Sequence, residues 1–254
     1  MLLAGRPFVI LPRSAGGGIT YRYVLEGDGF KLYIHSNPSN TIQPVRVRYM
    51  TEGLIGRDLF AKHAELLELL HDMGFSVTQE KISRVDLQVM LYRDVMDFMK
   101  PILSGNSVCV ARKGQFNTSG DRILTYRLGR GGQQACIYDK RTELFETKQA
   151  NEAKFWLMVN ECFGEEWLYE EIPTTRVEFR IKREVLKDMG INSMHDLLEH
   201  EAGLARYCYC SRFRILSDAK QKATRTSRKS PRSGVRSSYR SKNGFRAWTA
   251  TGWT

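Results

Sequence analysis

Three short runs in this chain alternate with period two and carry their charge on one side. They are Arg84-Val85-Asp86-Leu87-Gln88-Val89, Ala135-Cys136-Ile137-Tyr138-Asp139-Lys140 and Thr175-Arg176-Val177-Glu178-Phe179-Arg180-Ile181-Lys182. Successive side chains of a strand point to opposite faces, so each run has an apolar side and a polar side. Val85, Leu87 and Val89 turn one way, as do Val177, Phe179 and Ile181, which leaves Arg84, Asp86 and Gln88, and Arg176, Glu178, Arg180 and Lys182, on the other. In the middle run Ala135 and Ile137 share a side with Asp139, so Cys136, Tyr138 and Lys140 lie opposite. Such runs require a sheet buried on one face and polar on the other.

Elsewhere the period changes. Tyr21, Tyr23 and Leu25, then Phe30, Leu32 and Ile34, alternate around Gly27-Asp28-Gly29, a hairpin whose turn uses glycine's tolerance of positive φ. From Gly53 to Gly74 the apolar residues Leu59, Phe60, Leu66, Leu67, Leu70 and Met73 recur every three or four positions, as on a helix with one buried face. Residues 95–103 read as a short helix interrupted by Pro101, 107–113 as a strand, and 122–129 as the partner of 135–140 in a second hairpin with 130–134 as its turn. Residues 151–163 read as a helix with Phe155, Leu157, Met158 and Cys162 as its apolar positions. A further helix begins at Ser193, an N-cap type, with Asp196 in its first turn. The expected fold is α+β: a mostly antiparallel central sheet with helices on one face. The expected organisation is a domain over 1–218, with a strand-rich part (1–80) and a core (81–205), followed by a tail over 219–254.

Charge sets the tail apart. All 28 acidic residues lie at or before Asp218, while ten of the 39 Lys and Arg follow it, so the body carries 29 cations against 28 acids. The tail, rich in Ser, Thr, Arg and Lys, cannot bury enough apolar surface to offset chain entropy and is expected to be disordered. Its cations, Arg228, Lys229, Arg232, Arg236 and Arg240 among them, with Tyr239, Phe245, Trp248 and Trp253 interspersed, suit nucleic acid: cations release counterions from phosphates and rings stack on bases. RNA or an acidic protein also fits such a tail.

Cys109, Cys136, Cys162, Cys208 and Cys210 are too few and scattered for a disulfide framework, and Cys208-Tyr209-Cys210 has poor zinc spacing. Reduced cysteines and a cytoplasmic location are expected. No run of eighteen apolar residues is present, and the start reads as a strand rather than an export signal.

Two readings of the polar face stand side by side. Antiparallel sheets often leave one face solvated, with cross-strand Arg–Glu pairs of little worth. Acids are, however, depleted within strands, and here they recur in Arg-Val-Asp-Leu and Arg-Val-Glu-Phe. The chemistry such a face could run is phosphoryl transfer to a tyrosine. A phenol near pKa 10 needs a cation, a base or a metal to attack. Asp86 and Glu178 could hold Mg²⁺ or Mn²⁺, Lys140 could neutralise the attacked phosphate, and arginines could grip the backbone.

The ordered set RVDLQV, TYRLGRGGQQACIYDK and TTRVEFRIK, followed by GINSMHDLLEH, resembles the Rep_trans family of rolling-circle replication initiators of plasmids and filamentous phages. The resemblance covers roughly residues 80–200. It implies a fold distantly similar to HUH nucleases, a homodimer, a plasmid or phage origin as DNA partner, and host helicase and polymerase downstream. It also implies a nickase whose tyrosine stays linked to the 5′ phosphate and frees a 3′ hydroxyl. On it Tyr138 matches the nucleophile, Lys140 the lysine beside it, and Asp86 and Glu178 the metal-holding acids. Arg84, Arg127, Arg130, Arg176, Arg180 and Lys182 are then expected to contact DNA. The chain departs from many relatives in having Met90 where a second acid follows four places after the first, and it has no His-x-His pair. Tyr92 and Tyr126 compete as nucleophiles, and a non-catalytic DNA-binding protein on the same fold is the alternative.

Overall fold

The computed structural model describes residues 1–3, 5–12, 21–37, 43–111, 113–146, 152–163, 172–216 and 246–250. Short strands β1 (Leu2–Leu3) and β2 (Arg6–Pro7) precede a four-stranded antiparallel sheet of β3 (Val9–Leu11), β4 (Tyr23–Gly27), β5 (Phe30–Ile34) and β6 (Val45–Tyr49) in that order. Helices α1 (Thr51–Leu54) and α2 (Leu59–Asp72) follow, then β7 (Arg84–Leu91), α3 (Val95–Leu103), β8 (Ser107–Cys109), β9 (Gly114–Ser119), β10 (Arg122–Leu128) and β11 (Gln133–Asp139). The chain continues through α4 (Lys140–Glu146), α5 (Glu152–Phe163), β12 (Thr175–Lys182), α6 (Arg183–Asp188), α7 (Met194–Arg206), a π-helical turn (Tyr207–Arg212), β13 (Phe213–Ile215) and β14 (Arg246–Ala250).

The central sheet has the order β14-β7-β12-β11-β10-β9, antiparallel throughout, so the α+β class with mostly antiparallel strands holds. The alternation in the three charged runs decides which face is buried. Val85 pairs with Ile181, Leu87 with Phe179 and Val89 with Val177, and all six are buried. Burying each such side chain contributes about 1.5–3 kcal/mol. α2, α3, α6 and α7 pack Leu66, Leu69, Met99, Leu186 and Leu197 into the same core, which also takes Phe8, Phe30 and Leu32 from the four-stranded sheet. A second, smaller cluster lies over Met90, on the other face: Ile55, Leu144, Phe155, Trp156 and Val159. Helices α4 and α5 therefore cover one end of the polar face.

Several local expectations are corrected. The helix expected over 53–74 is two, because Asp58 caps the second: its Oδ1 accepts from the backbone N–H of Phe60 and Ala61 at 2.8 Å each. Pro101 sits within the last turn of α3 without ending it. The strand expected over 107–113 shortens to β8, which pairs with β13, and β9 begins at Gly114. α5 buries Phe155, Trp156 and Val159, whereas Leu157 is 54% exposed. Residues 217–245 and 251–254 lie outside the described residues. Arg246–Ala250, expected to be disordered, runs as an edge strand beside β7; Trp and Thr there are good strand formers. Among the described residues no helix is long and apolar enough to cross a membrane.

Candidate active site

Register turns the three charged runs into a grid. Gln134 pairs with Arg180 and Arg180 with Asp86; Cys136 pairs with Glu178 and Glu178 with Gln88; Tyr138 pairs with Arg176 and Arg176 with Met90. Glu178 is thus the centre of nine positions, with Tyr138 and Asp86 at opposite corners. From strand spacing and rise, those corners are roughly 16 Å apart at Cα, while each is about 8 Å from Glu178. Glu178 is the carboxylate that stands between them.

The Tyr138 hydroxyl donates to Glu178 Oε2 at 3.4 Å and accepts from Arg176 Nη1 at 3.4 Å. Tyr138 is 9% exposed. Burial pushes its hydroxyl well above the ordinary phenol range, Arg176 pulls it back, and Glu178 and Glu143 add to the rise. Arg176, expected among the DNA-gripping arginines, is only 6% exposed. The ring of Phe155 on α5 lies 5.5 Å from its Cζ. This aromatic cover is what removes Arg176 from the surface.

Lys140 does not continue the strand. Asp139 Oδ1 accepts from the backbone N–H of Thr142 at 3.0 Å, which turns the chain into α4 with Lys140 as its first residue. The ammonium pairs with Glu143 Oε2 at 2.5 Å and stands 5.0 Å over the Phe155 ring. Burial, with the neighbouring Arg176 charge, lowers Lys140 to about 8, against the pull of Glu143. Asp139 itself binds Arg122 at 3.0 Å, and Arg122 also meets Asp94 at 3.0 Å.

Asp86 is held by Arg84 through Nε at 2.7 Å and by a second contact from Nη2. Arg180 spans the two acids, its Nη2 3.2 Å from Glu178 Oε1 and its Nε 3.7 Å from Asp86 Oδ1. Asp86 and Glu178 lie diagonally on neighbouring strands, with Gln88 opposite Glu178, and carboxylate oxygens are the donor type that Mg²⁺ or Mn²⁺ takes. The Arg180 guanidinium already meets both acids, so a metal ion held by them would take its place. Among the described residues no group of three or more His, Cys, Asp or Glu is disposed to hold a metal, so further ligands would come from outside these side chains.

A 570 Å³ cleft opens above the grid, lined by Tyr138, Cys136, Glu178, Glu143 and Arg180 together with Arg127, Arg130 and Lys113. Arg127 and Arg130 are exposed. Burial pushes the Cys136 thiol up to about 11, against the pull of Arg127. Lys182 is exposed at the far end of β12 as the cap residue of α6. Tyr126 pairs with Ile137 and stacks on Phe116 at 4.3 Å, on the other side of the hairpin from Tyr138. Tyr92 is 41% exposed beyond the end of β7. Arg228, Lys229, Arg232, Arg236 and Arg240 lie outside the described residues. Lys113 and the cover from Phe155 were not foreseen. The cover has a visible signal, since Phe155, Trp156 and Val159 share one helical stripe.

No family model matches this chain, and no curated protein matches it. Among solved structures it is similar to the rolling circle replication initiator protein from Geobacillus stearothermophilus, at 17% identity and a TM-score of 0.45, over 86% of this chain and 75% of that one.

Proposed function

We propose that the chain is a DNA nickase and strand transferase that starts rolling-circle replication at a plasmid or phage origin. The observation that carries this reading is the placement of the Tyr138 hydroxyl, between a carboxylate and a guanidinium at 3.4 Å each, beside a basic cleft. The Tyr138 oxygen attacks the scissile phosphorus, an O–P bond forms, and the P–O3′ bond breaks with its electron pair on the 3′ oxygen. The phenolic proton leaves toward Glu178, and the 3′ oxygen takes one from solvent. The products are a 5′-phosphotyrosyl strand and a free 3′ hydroxyl for a host polymerase. Lys140 supplies positive charge near the attacked phosphate. Asp86 and Glu178 would hold Mg²⁺ or Mn²⁺, which when bound supplies Lewis-acid polarisation of the phosphate. Arg127, Arg130 and Lys182 are exposed and would meet the DNA backbone, and Arg84 and Arg180 can turn to it from their acids. The test is incubation of the full chain with a supercoiled plasmid carrying the DNA that flanks its own coding sequence, with Mn²⁺. A covalent protein–DNA adduct is expected, and Tyr138→Phe abolishes it; an adduct that survives this change removes the nucleophile assignment.

A second reading is favoured by one observation: both acids are already ion-paired to arginines. On this reading the face is a DNA-binding platform without chemistry. It requires that Asp86→Ala and Glu178→Ala leave both DNA binding and any nicking unchanged.

A further inference from the structure

We infer that Arg176 is a positioning residue: its buried guanidinium holds the Tyr138 oxygen toward the scissile phosphate and stays as counter-charge to the ester that forms. This rests on the reading of Tyr138 as nucleophile. The two residues are direct cross-strand partners, and Nη1 donates to the Tyr138 oxygen at 3.4 Å. The other contacts of the guanidinium bring no negative charge: Nη2 meets Met90 Sδ at 3.6 Å, the Phe155 ring lies 5.5 Å from Cζ, and the neighbouring charge over that ring is a second cation, Lys140. The Arg176 Nε is buried without a hydrogen-bond partner. Arg84 and Arg180 are each paired to an acid, whereas among the described residues no carboxylate forms an ion pair with Arg176.

A guanidinium withdrawn from water with no counter-ion is costly, and the cost falls when an anion is brought to it. In the attack described above, a phosphodiester carrying negative charge arrives at the oxygen that Arg176 already contacts. The charge then sits in a place closed to water on the Phe155 side, where a preorganised donor acts most strongly. At 6% exposure the side chain is poorly placed to grip a DNA backbone from the surface. Its contribution therefore belongs to the rate of attack and not to affinity.

The experiment measures two quantities on the full chain with the supercoiled plasmid described above: DNA affinity across a salt series, and the adduct rate at saturating DNA. Arg176→Gln is expected to bind within about twofold of wild type with the same salt slope, while its saturated rate falls about 100-fold. Exposed Arg127→Gln serves as the contrast, losing affinity and flattening the salt slope. Arg176→Lys keeps charge without the fork and is expected about tenfold below wild type with unchanged affinity, which carries the test if the glutamine variant fails to fold. The inference is overturned if Arg176→Gln, or Arg176→Lys in its place, weakens binding as Arg127→Gln does while reacting at the wild-type saturated rate. Tyr138→Phe in parallel separates the two readings. A dead Tyr138→Phe beside a fully active Arg176→Gln sinks this inference alone, and an active Tyr138→Phe sinks the nucleophile reading on which it rests.

Discussion

Glu178 Oε2 accepts the Tyr138 hydroxyl at 3.4 Å while Oε1 of the same carboxylate meets Arg180 at 3.2 Å. One acid therefore touches both the Tyr138 hydroxyl and the cation that spans the Asp86–Glu178 pair. Glu178→Gln keeps the shape and removes the charge, so it should lower the adduct rate by about 10²–10⁴-fold, the range of a positioned acid–base group. Adduct formation scored on a denaturing gel across a Mn²⁺ titration checks this. A yield equal to wild type at every Mn²⁺ concentration would show that the carboxylate has no part in the chemistry.

Lys140 makes the protein's stability depend on pH in a definite direction. Its folded value, near 8, lies below the ordinary lysine value of 10.5, so between these the unfolded chain binds a proton that the folded chain does not. Stability from this group therefore rises as pH climbs from about 8 to 10.5, and below 8 the fold carries the full burden of a buried charge, up to about 3 kcal/mol. Lys140→Met should be favoured over wild type at pH 7, with the gap closing toward pH 10. Urea unfolding at several pH values measures it, and a gap independent of pH refutes it. The same loss of charge should slow adduct formation above about pH 8, and Lys140→Arg should sustain it.

Much of the fold was legible because burial follows period two. The pattern Val85-Leu87-Val89 against Val177-Phe179-Ile181 specifies a half-buried sheet, and the structure pairs those residues one to one. β9 escaped notice because Gly114–Ser119 is exposed at every position, and an edge strand with no buried face leaves no alternation to detect. The candidate site was legible as a set of residues but not as a geometry. Alternation puts Asp86, Glu178 and Tyr138 on one polar side, yet only register reveals that Glu178 stands between the other two. The burial of Arg176 and Lys140 comes from α5, an element remote in sequence from Arg176, whose ring at Phe155 no strand pattern could announce.

Gly29, in the turn between β4 and β5, packs against Gly53 of α1. Its φ is +76°, and a Cβ there would come within 2.4 Å of the Gly53 Cα. Gly131, in the turn between β10 and β11, has φ +75° but nothing within 4 Å of an added Cβ. Gly131→Ala should therefore cost about 1–2 kcal/mol from the left-handed backbone alone. Gly29→Ala adds overpacking against backbone that cannot move aside, for about 2–5 kcal/mol together. Thermal or urea unfolding of the two variants compares them, and equal costs would mean that the Gly29–Gly53 approach relaxes freely.

The basic tail should govern affinity and leave the chemistry alone. The body is near neutral while ten cations follow Asp218, so counterion release on DNA should come largely from those residues. Changing Arg228, Lys229, Arg232, Arg236 and Arg240 together to Gln leaves Arg246–Ala250 in place beside β7, which ending the chain at residue 216 would not. The five-fold variant should lose roughly 4 units of salt slope if each cation neutralises one phosphate, and at least about tenfold in affinity near physiological salt. At saturating DNA its adduct rate should match wild type, because the Tyr138, Arg176 and Glu178 contacts lie within the sheet. Affinity measured across a salt series, with the saturated rate beside it, decides the matter. An unchanged slope would place the principal phosphate contacts on Arg127, Arg130 and their neighbours in the cleft, and a reduced saturated rate would tie the tail to the chemistry itself.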